Sequence, residues 1–138
     1  MSEEAKAIVR RFIEETQARG NLEAVDEFIA EDCVNHTPPP GVPPDREGAK
    51  QIFAMFRAAF PDHDAVILDM VGEDDTVATY KTFTGTHQGE FMGIPATGKR
   101  VTVRVMDFVR VRDGKIAEHS NVVDVFGLLA QLGATPTG

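Results

Sequence analysis

The sequence is poor in residues that build several common kinds of site. Its 138 residues include one cysteine, Cys33, no tryptophan and one tyrosine. A single cysteine excludes an internal disulfide framework and the zinc sites that need four cysteines. The glycine-rich motifs that cradle nucleotide phosphates are absent, as is the G-x-S-x-G motif of serine hydrolases. The four histidines form no H-E-x-x-H or H-x-H pattern, so neither a cofactor nor a metal is expected.

Basic charge is also scarce. The chain carries 14 Lys and Arg residues against 22 Asp and Glu residues, a formal net charge of −8. Nucleic acid and anionic membrane surfaces repel such a domain, so neither is expected as a partner. The apolar runs are short, and the acidic start, MSEEAKAIVRR, lacks the apolar stretch of a secretory signal. We therefore expect a cytoplasmic protein that forms a single domain over residues 1–138.

The first half of the chain has the periodicity of helices. Apolar residues recur every three or four positions over residues 3–19, again after Asn21, and between Asp45 and Phe60. Gly20 suits the end of the first helix. Asn21 and Asp45 belong to the residue types that cap helix starts, so the pattern predicts three helices.

The second half alternates with period two. Four segments rich in Val, Ile, Thr and aromatic residues follow one another, namely HDAVILDMVG, TVATYKTFTGTH, KRVTVRVMDFVRV and KIAEHSNVVD. A short helix in VFGLLAQLG, capped by Asp124, closes the chain. Helices followed by hairpin-linked strands predict the α+β class, with helices packed on a strongly curved antiparallel sheet. The open end of such a cone is a natural internal pocket.

The RDG turn in the last hairpin decides which polar side chains share a face. A three-residue loop places Asp107 opposite His119. A two-residue turn at Asp113–Gly114 pairs His119 with Phe108 instead. Because a slip of one residue exchanges the two faces of a strand, spacing alone leaves both registers open.

The first register sets a carboxylate beside an imidazole on an apolar wall. It also brings Asn121, opposite Val105, next to Asp107 and His119. Such a carboxylate–imidazole pair can move a proton on or off a carbon next to a carbonyl. We therefore interpret Asp107 and His119 as candidate catalytic residues and Asn121 as a residue that orients a substrate. The alternative is a cross-strand pair that only stabilises a half-buried sheet.

Other polar residues are candidate ligands for a substrate. Asn35 and His36 precede the proline-rich loop TPPPGVPP, where they suit either a pocket mouth or loop hydrogen bonding. His87, in GTHQGEF, either lines the pocket or satisfies a turn. Tyr80 offers a phenol to a ligand or occupies a core position. The candidate substrate-binding residues are Asn121, Asn35, His36, His87, Val105 and Tyr80.

Several longer motifs are similar to those of a known family. They are VNH before the proline-rich loop, FPD at 60–62, GTHQGEF, GIPATGK, RDGKIAEH and GLLAQLG. Together they resemble the SnoaL-like polyketide cyclases, or ester cyclases, of the nuclear-transport-factor-2-like superfamily. The resemblance covers nearly the whole chain and implies a cone-shaped α+β barrel with an internal pocket for a polyketide-like compound.

The resemblance also implies a chemistry. Characterised cyclases of the family close a ring of an aromatic polyketide by an intramolecular aldol step and use no metal or cofactor. Ungapped matching through RDGKI places the family's acid–base aspartate at Asn121 and one of its pocket histidines at Asp107. Because an amide cannot abstract a proton, Asp107 with His119 is the remaining acid–base pair on the predicted wall.

Three functions remain open from the sequence. The first is a cofactor-independent enzyme that moves protons on a small, largely apolar carbonyl compound, by aldol cyclisation, isomerisation or dehydration. The second is a ligand-binding module without chemistry, which Asn121 in place of an acid favours. The third is an interaction domain that self-associates through Met106, Phe108 and Val122 on the other sheet face. A homodimer is expected in each case, because two-fold dimers are the commonest oligomers.

Overall fold

A computed structural model of the protein describes residues 2–133. The helices are α1 (Ser2–Phe12), continued directly by a π-helix (Ile13–Ala18), α2 (Ala24–Phe28), α3 (Arg46–Ala59) and α4 (Val125–Gln131). The strands are β1 (Ile29–Asn35), β2 (Asp64–Glu73), β3 (Thr76–Thr86), β4 (Arg100–Arg112) and β5 (Lys115–Val123). None of the helices within residues 2–133 is long and apolar enough to cross a membrane.

The strands form one curled sheet that does not close into a complete barrel. Their order is β1-β5-β4-β3-β2, with antiparallel pairing from β2 to β5 and parallel pairing between β1 and β5. The α+β class with helices packed on a curved sheet is confirmed. The sheet is mixed rather than wholly antiparallel, because the segment from Ile29 joins its edge. That segment was not predicted as a strand, since its pairing partner lies far away in the sequence.

The predicted helix boundaries are largely confirmed. The Asp45 carboxylate accepts a hydrogen bond from the backbone N–H three residues later at 3.0 Å and caps α3. Asp124 caps α4 in the same way at 2.9 Å. The prediction for Asn21 is wrong, because α2 begins at Ala24 without a side-chain cap. This helix is only 5 residues long, so the apolar stripe after Asn21 is shared between a helix and β1.

The β4–β5 hairpin has a tighter turn than the three-residue loop. Asp113 and Gly114 both have positive φ, 52° and 78°, and Arg112 pairs with Lys115 across them. Both residues suit this two-residue turn, because Asp and Gly tolerate the left-handed conformation. Of the two turns considered from the sequence, the three-residue loop is therefore wrong, and the two-residue turn at Asp113–Gly114 is the one that closes the hairpin.

A β-bulge at Ala117 then shifts the register by one residue. Beyond the bulge, His119 pairs with Val109, and Asp107 pairs with Asn121. The predicted pairing of Asp107 with His119 is thus wrong by two positions. A shift of two keeps each side chain on its face, so Asp107, His119 and Asn121 share the inner, helix-facing side as predicted.

The inner face carries two apolar clusters with polar residues between them. One cluster joins α1, the π-helix, α2 and β1 to Val77 and Val109 of the sheet. The other joins the end of α3 and α4 to Val101 and Val103. Along β3 and β4, the inner-face positions between these clusters include Thr79, Lys81, Val105 and Asp107.

Candidate active site

Lys81, Asp107 and His119 form one polar cluster on the inner face. Asp107 Oδ2 is ion-paired with Lys81 Nζ. The other carboxylate oxygen, Oδ1, lies 3.3 Å from His119 Nε2. The side chains of Lys81 and Asp107 are 3% and 6% exposed, whereas that of His119 is 25% exposed. The cluster is therefore buried at its Lys81 end and open at its His119 end.

The alternation of β4 explains why a carboxylate is buried here. Every second residue from Val101 to Val111 faces inward and is buried, and Asp107 is the charged member of this row of valines. A buried charge is costly unless it is paired and hydrogen-bonded. Lys81 lies on the neighbouring strand, one inner-face position further along, and provides the opposite charge.

The surroundings of Asp107 fix its protonation state. Burial alone acts to raise the pKa of Asp107, because the charged form is desolvated. The Lys81 charge and the contact with His119 outweigh this effect and lower the pKa of Asp107 to about 2. Asp107 is therefore ionised at neutral pH, and so weak a base is poorly suited to take a proton from carbon.

An ionised Asp107 also fixes the state of the imidazole. A carboxylate only accepts hydrogen bonds, so His119 donates through its Nε2–H. In the neutral ring, Nδ1 is then the nitrogen that carries the lone pair. Within residues 2–133, Nδ1 has no hydrogen-bond partner. The cluster thus has one group that can take up a proton, and it is His119.

Asn35 and Asn121 lie beside His119 at the start of the proline-rich loop. Asn35 pairs with His119 between β1 and β5, and Asn121 is two residues along β5. The Thr37 hydroxyl donates to Asn121 Oδ1 at 3.1 Å and accepts from the Asn121 N–H at 3.0 Å. The Thr37 N–H donates to Asn35 Oδ1 at 3.0 Å. Both amide oxygens are occupied, whereas neither Nδ2 group has an acceptor within residues 2–133.

Two of the sequence-predicted residues lie on the outer face of the sheet. His36 Nε2 lies 3.0 Å from a carboxylate oxygen of Glu118, which also pairs with Arg110. The Tyr80 hydroxyl accepts a hydrogen bond from Arg104, whose guanidinium stacks over the ring. The structure does not bring His36 or Tyr80 together with Asp107.

His87 is fully buried beyond the end of β3, six residues from Lys81 along the chain. Its Nδ1 accepts a hydrogen bond from the Thr97 N–H at 3.2 Å and lies 3.0 Å from the Thr97 hydroxyl. The ring packs against Phe60 with centroids 5.6 Å apart. These contacts satisfy Nδ1 as the turn alternative predicts, whereas the buried Nε2 has no hydrogen-bond partner within residues 2–133. The inner-face candidates that lie together are Asp107, His119, Asn121, Asn35 and Val105.

Comparison with known proteins identifies the family of the chain. The family profile described as SnoaL-like polyketide cyclase matches residues 7–132. The chain belongs to this family. The nogalonic acid methyl ester cyclase of Streptomyces nogalater is 30% identical over 116 residues, which cover 83% of this chain and 87% of that relative. The family assignment made from the motifs is therefore confirmed.

Solved structures of similar proteins show the same fold. IdmH of Streptomyces antibioticus, described as a candidate polyketide cyclase, is 39% identical with a TM-score of 0.83, covering 94% of this chain and 99% of IdmH. AclR of Streptomyces galilaeus, described as a candidate hydroxylase, is 31% identical with a TM-score of 0.87, covering 99% of this chain and 89% of AclR. The fold therefore does not by itself fix one reaction.

The resemblance assigns the acid–base aspartate of the family to one inner-face position of β5. Asn121 occupies that position and pairs with Asp107, where the resemblance places a histidine. Both side chains are on the inner face.

Sequence reasoning missed Lys81. The alternation of TVATYKTFTG places Lys81 on the same face as Val77, and a lysine at an inward position signals a buried partner. The partner could not be identified, because the long segment between β3 and β4 leaves their register open. No group of three His, Cys, Asp or Glu side chains suited to a metal ion occurs in the part of the chain that the structure describes.

Proposed function

We propose that this SnoaL-like protein is a cofactor-independent acid–base enzyme that closes a ring in a polyketide-like carbonyl compound. The observation that carries the proposal is the 3.3 Å contact between His119 and the buried carboxylate of Asp107. Its curated relatives include cyclases of nogalonic and aklanonic acid methyl esters, and the proposal assigns this chain the same class of substrate.

His119 acts as the general base in the proposed reaction. Nδ1 takes a proton from a substrate carbon next to a carbonyl, and the carbanion, delocalised as an enolate, attacks a second carbonyl of the same molecule. A carbon–carbon bond forms, and the resulting alkoxide takes the proton back from the imidazolium. The step conserves all atoms and electrons. Asp107 holds the ring through Nε2–H and stabilises its charged form, as carboxylates do for catalytic histidines.

Asn35 and Asn121 supply hydrogen bonds to the enolate oxygen. Their amide oxygens are engaged by Thr37, which orients each Nδ2 group without occupying it. Donors held in place before the reaction stabilise charge that develops in the transition state. The apolar body of the substrate packs between the two hydrophobic clusters of the inner face, beside Val105. An amide at position 121 thus has a role that does not need a base there.

The proposal is tested by turnover of nogalonic acid methyl ester and aklanonic acid methyl ester, followed by chromatography. His119→Gln keeps the polarity of the site and removes the base, so kcat falls by about 10²–10⁴ while the circular dichroism spectrum is unchanged. His36→Gln, on the outer face, is the matched control and keeps full activity.

Ligand binding without consumption of either ester by the wild-type protein would contradict the proposal. The protein would then be a binding module, the alternative that Asn121 favours.

We infer in addition that the protein forms a homodimer through the outer face of its sheet. Met106, Phe108 and Val122 are exposed on adjacent positions of β4 and β5, and Phe126 of α4 is exposed as well. Contiguous exposed apolar side chains mark interaction surfaces in soluble proteins.

A further inference from the structure

Lys81 has a second partner on the helical side of the core. Its ammonium donates a hydrogen bond to Gln17 Oε1 as well as pairing with Asp107. Gln17 lies in the π-helix, Ile13–Ala18, and its backbone carbonyl accepts a hydrogen bond from His63 Nδ1 at 2.6 Å. π-Helices are rare and are frequently found at functional sites.

Gln17, Lys81, Asp107 and His119 therefore form one continuous chain of hydrogen bonds. It begins at the π-helix, crosses β3 and β4, and ends at the partly exposed ring on β5. The charges of Lys81 and Asp107 cancel, so a neutral His119 borders a pair with no net charge. A buried ion pair often contributes no more stability than apolar residues of the same volume. Stability alone is thus a weak explanation for an ion pair set among valines.

We propose that Lys81, held by Gln17, is a positioning residue that controls how tightly His119 holds a proton. This inference rests on the proposed function, in which His119 must be unprotonated to accept a proton from carbon. An unshared carboxylate at Asp107 would favour the imidazolium and leave the base occupied. Sharing the carboxylate with Lys81 lets Asp107 fix the ring tautomer while part of its negative charge is offset by the ammonium.

Few charged groups face this pair within residues 2–133. Asp107 from β4 is the acidic side chain within ion-pair distance of His119. Lys81 from β3 and His119 from β5 are the basic groups beside Asp107. On the helical side, Gln17 is the polar side chain that contacts Lys81, and it is uncharged. The ion pairs that join this cluster to His119 therefore involve two other charges, those of Lys81 and Asp107, and both can be changed by mutation.

The test is an NMR titration of the His119 ring in the substrate-free protein. Lys81→Met leaves the carboxylate unshared, so the titration midpoint rises by about one pH unit. Asp107→Asn leaves the ammonium unshared, so the midpoint falls. The double variant, Lys81→Met with Asp107→Asn, removes both charges and returns the His119 midpoint close to that of the wild type. The chemical shifts of the ring nitrogens report the tautomer in each variant.

Gln17→Glu provides a second measurement that does not break the buried ion pair. It places a carboxylate beside the Lys81 ammonium at a half-buried position, which draws the ammonium away from Asp107 and raises the midpoint. Arg19→Gln is the matched control, because it makes the same change of net charge at an exposed position two residues away, just after the π-helix. Its midpoint stays at the wild-type value.

The two proposals fail separately. The role of Lys81 is overturned if the His119 titration midpoint is unchanged in Gln17→Glu and also in Lys81→Met, provided that Lys81→Met folds. This outcome does not depend on the turnover of either variant. Full turnover in His119→Gln overturns the role of His119 as the base, while a shifted midpoint would still establish the control by Lys81. Where both hold, the acidic limb of the kcat–pH profile moves with the NMR midpoint in Gln17→Glu.

Discussion

Asp107 and Asn121 face each other across β4 and β5, with both side chains on the inner face of the sheet. The resemblance to the family places its acid–base aspartate at 121, next to the position of a histidine. In this chain the neighbour is a carboxylate that is ionised at neutral pH. An aspartate at both positions would set two negative charges side by side, which explains why the amide suits this site.

Asn121→Asp therefore lowers stability in a pH-dependent way. The new carboxyl has a folded-state pKa raised by Asp107, so its uncharged form is favoured in the folded protein. The variant matches the wild type below about pH 4 and loses about 1–2 kcal/mol of unfolding free energy as the pH rises to 7. Urea unfolding at both pH values measures this difference. Ser120→Asp, on the outer face, is the control, and an equal loss at both pH values would contradict the mechanism.

Asp107 itself contributes stability that acid removes. Its pKa is lowered from 3.8 to about 2 in the folded protein, so its contribution is complete above 3.8 and is lost as the pH falls through about 2. The contribution is about 2 kcal/mol. Urea unfolding between pH 2 and pH 5 shows the unfolding free energy of the wild type rising with pH. Asp107→Asn lacks this slope of unfolding free energy against pH.

Asp107→Asn is also less stable at neutral pH, by about 2 kcal/mol or more, because Lys81 is left buried without its counter-charge. Asp74→Asn, at the exposed β2–β3 turn, keeps the wild-type slope and serves as the control for loss of a carboxylate. A wild-type slope in Asp107→Asn would show that another group is responsible.

Substitutions on the inner and outer faces of the sheet are expected to differ in their effect on turnover. Asn35→Ala removes an amide donor beside His119, and kcat falls by about 10²-fold. Tyr80→Phe removes a hydroxyl on the outer face that contacts Arg104, and kcat/KM is unchanged. Steady-state kinetics on the methyl esters measures both. A larger loss in Tyr80→Phe than in Asn35→Ala would place the reaction on the outer face.

His87 supports the loop that follows β3. Thr97→Val removes the hydroxyl beside His87 Nδ1 and lowers the unfolding free energy by about 1 kcal/mol, with KM and kcat unchanged. Thermal and urea unfolding report the change, and Thr102→Val at an exposed position of β4 is the control. A raised KM at unchanged stability would instead mean that His87 binds the substrate.

The exposed apolar side chains of the outer face predict self-association. Val122→Glu introduces a charge at the centre of this surface and converts the homodimer to a monomer, which light scattering coupled to size-exclusion chromatography detects. Met92→Glu adds the same charge at an exposed loop residue and leaves the dimer intact. A monomeric wild-type protein would overturn the inference.

Local patterns in the sequence predicted most of the elements and both catalytic candidates. The 3.6-residue period marked α1 and α3, and the Asp45 and Asp124 caps marked two helix starts. The two-residue period marked β2 to β5. That period fixed the alternation within each strand. The shared inner face of Asp107 and His119 depended on the two-residue turn and the bulge, which together shift the pairing by two residues from the three-residue register.

The tertiary structure decided the contacts that give those residues their chemistry. The bulge at Ala117 set the pairing of Asp107 with Asn121, and the β3–β4 register brought Lys81 to Asp107. The parallel pairing of β1 brought Asn35 to His119, and the π-helix brought Gln17 to Lys81. Each of these contacts joins residues far apart in the chain, and bulges and loops set their registers. The sequence by itself determined how side chains alternate along each strand. Only the bulge and the packing of distant strands determined which side chains share the inner face and which charges meet there.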